Sequence, residues 1–139
     1  MRLQELPVRR RMPCGKAMSL QLTAAQIQYM ICMRRMHLVG EIRSSRLAET
    51  LGVTKSSVHN MVRQLTEMGL VTCRRYGAIE LTENGIRIVR SYYEQFERIC
   101  HHLEQSLLLE NAYASKIALL LASGLDPEAM GAFLEKLPA

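Results

Sequence analysis

The fold turns on Arg43-Ser-Ser-Arg-Leu-Ala-Glu-Thr-Leu-Gly-Val-Thr-Lys-Ser-Ser-Val-His-Asn-Met-Val-Arg-Gln-Leu-Thr-Glu-Met-Gly-Leu-Val71. This run reads as two short helices joined by a tight turn. The first helix is expected from Ser45 to Leu51, with Ser44 or Ser45 as its cap. Gly52 supplies the turn, because glycine accepts backbone angles that other residues avoid. Thr54 suits the cap of the second helix, since its hydroxyl can accept a hydrogen bond from a free N–H of the first turn. Val58, Met61, Val62 and Leu65 recur at helical spacing and form a buried stripe. Around them stand Thr54, Lys55, Ser56, Ser57, His59, Asn60 and Arg63. Side chains of these types hydrogen-bond base edges and phosphates. The run is therefore a helix-turn-helix with a recognition helix. The plainer alternative is a helical hairpin with a solvated polar face.

Downstream, Gly69 is placed to end the second helix. Leu70 to Arg75 then alternates, with Val71 and Cys73 on one face, and Ala78 to Leu81 alternates with Ile79 and Leu81 inward. Two alternating runs around the turn Arg75-Tyr-Gly77 predict a β-hairpin. A hairpin directly after a recognition helix is a wing. Arg74, Arg75 and Tyr76 sit at its tip, placed to touch a phosphate backbone or a minor groove. The alternative for the arginines is simple solvation of an edge strand.

Thr82 caps the next helix. Ile86, Val89, Tyr93, Phe96, Cys100, Leu103 and Leu107 follow at spacings of 3, 4, 3, 4, 3 and 4, a heptad-like stripe. Glu83–Arg87, Arg90–Glu94 and Glu94–Arg98 are opposite-charge i,i+4 pairs, each worth ~0.3 kcal/mol. So long an amphipathic helix points to a dimerisation element, with Val89, Tyr93, Phe96, Leu103 and Leu107 as its contact residues. Packing onto the chain's own last helices is the alternative, and the two are compatible. A two-fold dimer suits palindromic DNA. Ala112 to Ala122 is an apolar helix ended by Gly124. Asp126-Pro-Glu128 starts another, with Asp as cap and Pro at the first helical position, and Met130, Phe133, Leu134 and Leu137 on its buried face.

Upstream, a helix is expected from Thr23 to about Leu38. Ile27, Met30, Ile31 and the stem of Arg34 line one face, and the methionines read as adaptable core packing. Residues 1–20 lack apolar periodicity and contain Arg9-Arg-Arg11 and Lys16. They read as a basic arm that can follow a phosphate backbone, or as a plain tail. Met12 and Met18 are alternative starts. The expected organisation is an arm over 1–20, a winged helix-turn-helix over 21–82 and a helical dimerisation region over 83–139. The fold class is mostly α with a small β-hairpin wing.

Charge follows that division. Residues 1–33 carry five Lys/Arg and one Glu, residues 34–90 ten and five, and residues 91–139 three and seven. The basic part contains the helix-turn-helix, as expected of a partner to a polyanion. The chain has 139 residues, 48% of them hydrophobic, enough to bury a core. No apolar run nears the roughly 20 residues of a membrane span, and the N-terminus has no signal-like apolar core. A cytoplasmic protein without membrane association is expected. The four cysteines lack CxxC spacing and are expected to be reduced and mostly buried.

Residues 23–137 resemble the diphtheria toxin repressor family, especially its short members, the manganese transport regulators. The resemblance rests on Arg46-Leu-Ala-Glu-Thr-Leu-Gly-Val-Thr-Lys-Ser-Ser-Val58, Gly69-Leu-Val71, Tyr76-Gly77 followed by Leu81-Thr-Glu-Asn-Gly85, and Leu125-Asp-Pro-Glu-Ala129. Regulators of the multiple-antibiotic-resistance type share the first motif. The wing, Leu-Thr-x-x-Gly and the last helices favour the metalloregulators. The resemblance implies a divalent metal, iron or manganese, bridging the first helix to the dimerisation helices through carboxylates and histidines. The matching positions here fall near Ile27 and Met30, or Ala25 and Gln28 with a two-residue slip, and near Phe96, Leu119, Ala122 and Ser123. Ala112–Gly124 contains no Asp, Glu or His. No metal or other cofactor is therefore expected at that site. Glu97 and His101 form a geometrically allowed i,i+4 ligand pair, but adjacent helix residues diverge by about 100°, so Cys100, His101 and His102 cannot share one ion unaided. A redox response from Cys73 or Cys100 is disfavoured by their placement on apolar faces.

These readings converge on a homodimeric regulator, a repressor in type, that binds double-stranded palindromic DNA. The alternatives are a winged-helix protein-interaction module, or a regulator with a non-standard metal or small-molecule effector. No nucleophile–base pair, Gly-rich phosphate loop or paired carboxylates point to an enzyme.

Overall fold

A computed structural model of the protein describes residues 22–74 and 77–138. The arm expected over 1–20, and Arg75 and Tyr76 at the wing tip, lie outside the described residues. The elements run α1 (Ala24–Val39), β1 (Ile42–Arg43), α2 (Ser44–Leu51), α3 (Lys55–Glu67), β2 (Val71–Cys73), β3 (Ala78–Leu81), α4 (Glu83–Ser106), α5 (Asn111–Gly124) and α6 (Pro127–Glu135). The fold is a mostly helical winged helix-turn-helix followed by further helices.

Helix α1 is the centre of the molecule. Thr23 Oγ1 accepts from Gln26 N at 3.1 Å, and Gln26 Oε1 accepts from Thr23 N at 3.0 Å. This reciprocal cap satisfies two end groups at once. Beyond it, Ile27, Met36 and every residue from Tyr29 to Met33 are buried. The sequence predicted one apolar face. The helix is instead covered on several sides, because α2, α4 and α5 all pack against it. The unbranched methionines Met30, Met33 and Met36 fit such a many-sided contact.

The two helices of the motif keep their expected turn. Gly52 adopts a left-handed conformation, φ 68° and ψ 35°, which a side chain would disfavour. Thr54 Oγ1 accepts from Ser57 N at 3.0 Å and caps α3. Helix α2 differs from expectation: it begins at Ser44, and the residue before it, Arg43, makes no side-chain cap bond. At the far end of α3, Gly69 N donates to Thr66 O at 3.0 Å and Leu70 N to Leu65 O at 2.9 Å, a Schellman closure one residue beyond Met68.

The sheet has three antiparallel strands in the order β1-β3-β2. The wing pairs Val71 with Leu81 and Cys73 with Ile79. Strand β1 pairs Ile42 with Ile79 and was not expected, since two residues carry no alternation. Ile79 and Leu81 are buried as predicted, but Cys73, on the same face, is not. It is exposed because β2 has left the core by its third residue.

Thr82 fastens the wing to α4. Its Oγ1 donates to Gly69 O at 2.7 Å and accepts from Gly85 N at 3.0 Å. Gly85 lies so close to the Leu70 carbonyl that no Cβ fits there. Two arginines of the predicted helix pairs of α4 find other partners: Arg87 donates to Asn84 Oδ1 at 2.5 Å, and Arg98 to Leu134 O at 3.1 Å. Among the described residues the ion pairs are Arg43–Glu41 and Arg74–Glu80. Helix α5 packs along α4 and α1 through Ala114, Ala118 and Ala122, small residues that allow close approach. Asp126 caps α6, accepting from Ala129 N at 2.7 Å.

Candidate nucleic-acid interface

Helix α3 is held from behind. Val58, Val62 and Leu65 are buried beneath it, Met61 is half-buried, and Gln26 Nε2 on α1 donates to Gln64 Oε1 at 3.2 Å. That anchorage leaves Lys55, Ser56, Ser57, His59, Asn60 and Arg63 together in solvent. Thr54 stands at the start of the same face with its hydroxyl engaged in the cap. The hydroxyl also donates to Ser57 Oγ at 3.0 Å. Arg63 Nη2 donates to Asn60 Oδ1 at 3.3 Å, so one cation and one amide face outward as a unit. No carboxylate stands among these positions, and Lys55 and Arg63 give the face its charge. The wing adds Arg74, exposed but paired across the strand with Glu80 at 3.0 Å. Ion pairs this exposed are weak and can exchange for a phosphate.

The stripe assigned to dimerisation is placed differently. Val89, Phe96 and Leu103 are buried within the chain's own core, and Tyr93 is half-buried beside Phe96, the ring centroids 5.8 Å apart. Of the five, Leu107 alone is well exposed, at 61%. As a free surface the stripe is thus corrected. The outward apolar side chains are Leu107 and Leu108 after α4, and Tyr113, Ile117 and Leu120 on α5. Residues 113, 117 and 120 follow helical spacing, but apart from Ser115 and Lys116 the run is apolar, and the sequence did not separate its inner from its outer face.

The positions implied for a metal hold no ligand set. Ile27, Met30 and Phe96 are buried apolar groups. Gln28 Nε2 donates to Ser123 Oγ at 3.1 Å, and Ser123 Oγ donates on to the Leu119 carbonyl at 2.8 Å. The guanidinium of Arg35 lies 5.4 Å from the Phe96 ring centroid, a cation where a metal would need anions. Glu97 and His101 are exposed on α4. His102 Nδ1 is instead 3.2 Å from Ser106 Oγ. Among the described residues no three His, Cys, Asp or Glu side chains gather as a metal site would require. Cys100 contacts Ser115 Oγ at 3.8 Å, and burial raises its thiol above the ordinary range.

A recognition helix with a polar, cationic face and a wing beside it defines a DNA-binding protein. The family described as "Iron dependent repressor, N-terminal DNA binding domain" matches residues 38–79, from the end of α1 to β3. An uncharacterized HTH-type transcriptional regulator of Methanocaldococcus jannaschii is 32% identical over 87 residues, 63% of this chain and 70% of that one. Similar solved structures include an IdeR of T. acidophilum (14% identity, TM-score 0.64, 84% of this chain and 55% of that one). The manganese regulator SloR is similar as well (21%, TM-score 0.60, 79% and 53%). So is the hypothetical protein SSo2273 from Sulfolobus solfataricus (22%, TM-score 0.51, 82% and 88%). The chain thus spans about half the length of the first two of these structures. It belongs to the helix-turn-helix transcriptional regulators, and its residues 38–79 match the DNA-binding domain of the iron-dependent repressors. It is a DNA-binding regulator and not an enzyme. No described helix is long and apolar enough to cross a membrane.

Proposed function

We propose that the protein acts as a homodimeric repressor on palindromic operator DNA, and that its DNA binding is not controlled by a metal at the family's position. The observation that carries the DNA reading is the exposed polar face of α3. In this reading Lys55, Arg63, Arg74 and Arg75 meet phosphates, and Ser56, His59 and Asn60 meet base edges, with Ser57, Thr54 and Tyr76 as further DNA-binding positions. Phosphate contacts set affinity and base contacts set sequence. Metal independence is supported by the donor chemistry. The Gln28–Ser123 hydrogen bond already joins α1 to α5, and neither group is a carboxylate or imidazole. Hard and borderline divalent ions need those ligands, so the residues present do not fit one. Dimerisation is supported by Leu107, Leu108, Tyr113, Ile117 and Leu120, which are exposed and apolar.

In vitro selection of bound DNA, followed by titration at several salt concentrations with and without chelator, tests the reading. The expected result is a two-fold symmetric sequence, a log–log salt slope of about −0.9 per neutralised phosphate, and the same affinity with chelator. Loss of binding on chelation would overturn the metal-independent part. Salt-insensitive or absent binding would overturn the DNA interface.

A further inference from the structure

Two adjoining cavities meet at Cys32, Arg35 and Thr50: one lies between α1 and α2, and the other reaches from these helices to α4 and α5. The larger, about 310 Å³, is lined by Cys32, Arg35 and Met36 of α1, Val39 at its end, and Arg46 and Thr50 of α2. The smaller, about 170 Å³, shares Cys32, Arg35 and Thr50 and adds Phe96 of α4 with Lys116 and Leu119 of α5. The larger alone reaches the lower limit for small-molecule sites. Its chemistry is one-sided. Arg35, Arg46 and Lys116 come from three helices, and no carboxylate lines either cavity. None of the three takes part in the ion pairs of the described residues. Arg35 is stacked on Phe96, which fixes its guanidinium between the two spaces. Met36, Ile31, Phe96 and Leu119 supply apolar wall, and Thr50 and Ser115 add hydroxyls. Burial pushes the Cys32 thiol up to about 11, so at neutral pH it adds an uncharged wall.

We infer that this cleft binds a small amphipathic anion, a carboxylate or phosphate on an apolar body, held by Arg35, Arg46 and Lys116. A divalent cation finds no ligand here, and a purely polar anion would leave the apolar walls wet. A bound anion touches α2 and α5 at once, so it biases how the helix-turn-helix sits against the C-terminal helices and thereby the presentation of α3. That regulatory consequence rests on the DNA-binding reading. The binding site itself does not.

Octanoate, octyl phosphate, acetate and 1-octanol are titrated into the full chain by calorimetry and by methyl NMR. Octanoate or octyl phosphate is expected to saturate at one per chain and to shift the methyl signals of Met36 and Leu119. The tighter of the two identifies the headgroup. Acetate and 1-octanol are expected to bind at least about tenfold more weakly, a difference of about 1.4 kcal/mol. Lys116→Gln with Arg35→Gln is expected to weaken octanoate by about tenfold or more, and Ala112→Trp, at the exposed rim, to block it. Equal affinity for 1-octanol, or saturation without those methyl shifts in the unmodified protein, overturns the site. Octanoate binding that leaves operator affinity unchanged overturns the regulatory consequence alone. A chain that takes octanoate but binds no DNA under any condition refutes the DNA reading and leaves the cleft standing.

Discussion

In the proposed interface Arg63 is the residue expected to matter most, because it combines a full charge with a planar donor set on the exposed face of α3. In the free protein its Nη2 rests on Asn60 Oδ1, a contact that holds the guanidinium over the helix surface without neutralising it. Arg63→Gln is expected to weaken operator binding by about 1–3 kcal/mol. Fluorescence anisotropy against salt then reads its role. A flatter salt slope assigns Arg63 to a phosphate, and relaxed sequence preference assigns it to a base. An unchanged affinity would remove it from the interface. Cys32 makes a different prediction, on stability. Burial moves its thiol from 9.0 up to about 11, against a smaller opposing effect of Arg35. The unfolded chain ionises this thiol first. Stability is therefore intact below about pH 9 and falls as pH rises toward 11, by at most ~3 kcal/mol. Tyr29, Tyr93 and Cys100, also raised by burial, act in the same direction. Cys32→Ala costs packing at every pH, so the informative quantity is the difference between urea midpoints at about pH 8 and about pH 10.5. That difference is expected to shrink in the variant, and an equal alkaline loss in both proteins would clear Cys32 of any part.

At the scale of elements, the wing and α4 meet at one crowded joint. Leu70 O accepts from Thr82 N at 3.0 Å, Thr82 Oγ1 bridges to Gly69 O, and Gly85 packs its backbone against the Leu70 carbonyl. Gly85→Ala is expected to force β2 and α4 apart and to destabilise the fold by roughly 1–3 kcal/mol, measured by chemical denaturation. A variant as stable as the parent would show that the joint can give. This joint also explains why Leu81-Thr-Glu-Asn-Gly85 was readable as a motif: a capping hydroxyl and a missing side chain are both written in single residues. The same holds for the caps Thr23, Thr54 and Asp126. Where the deciding partner lies elsewhere in the chain, reading fails. Strand β1 exists only because Ile79 pairs with Ile42. Helix α2 starts without a side-chain cap. Cys73 obeys the period of its strand, but the strand runs out of core beneath it. The face of α3 was legible for the same reason as the caps, since spacing alone separates Val58, Val62 and Leu65 from Lys55, His59 and Arg63. The cleft was not, because Arg35, Arg46 and Lys116 lie on three helices that meet only after folding.

For the whole molecule, the apolar helix α5 raises the question of what covers it. Its inner face is Ala114, Ala118 and Ala122 against the chain's own core, yet Tyr113 and Leu120 are each 60% exposed and Ile117 is 39% exposed. An outward helix face this apolar is normally covered. Leu107 and Leu108, at the corner before α5, add to the same requirement. A second copy placed there by a two-fold axis would cover like with like and set two α3 helices on a palindrome. Ile117→Glu with Leu120→Glu is therefore expected to halve the solution mass in sedimentation experiments. The circular dichroism should be unchanged, since both side chains are already at the surface. Binding to a palindrome should weaken by more than binding to an isolated half-site, because only the former uses the linkage of two reading heads. A variant that stays dimeric would place the interface on another face, and a parent that is monomeric at every concentration would leave α5 to a different partner.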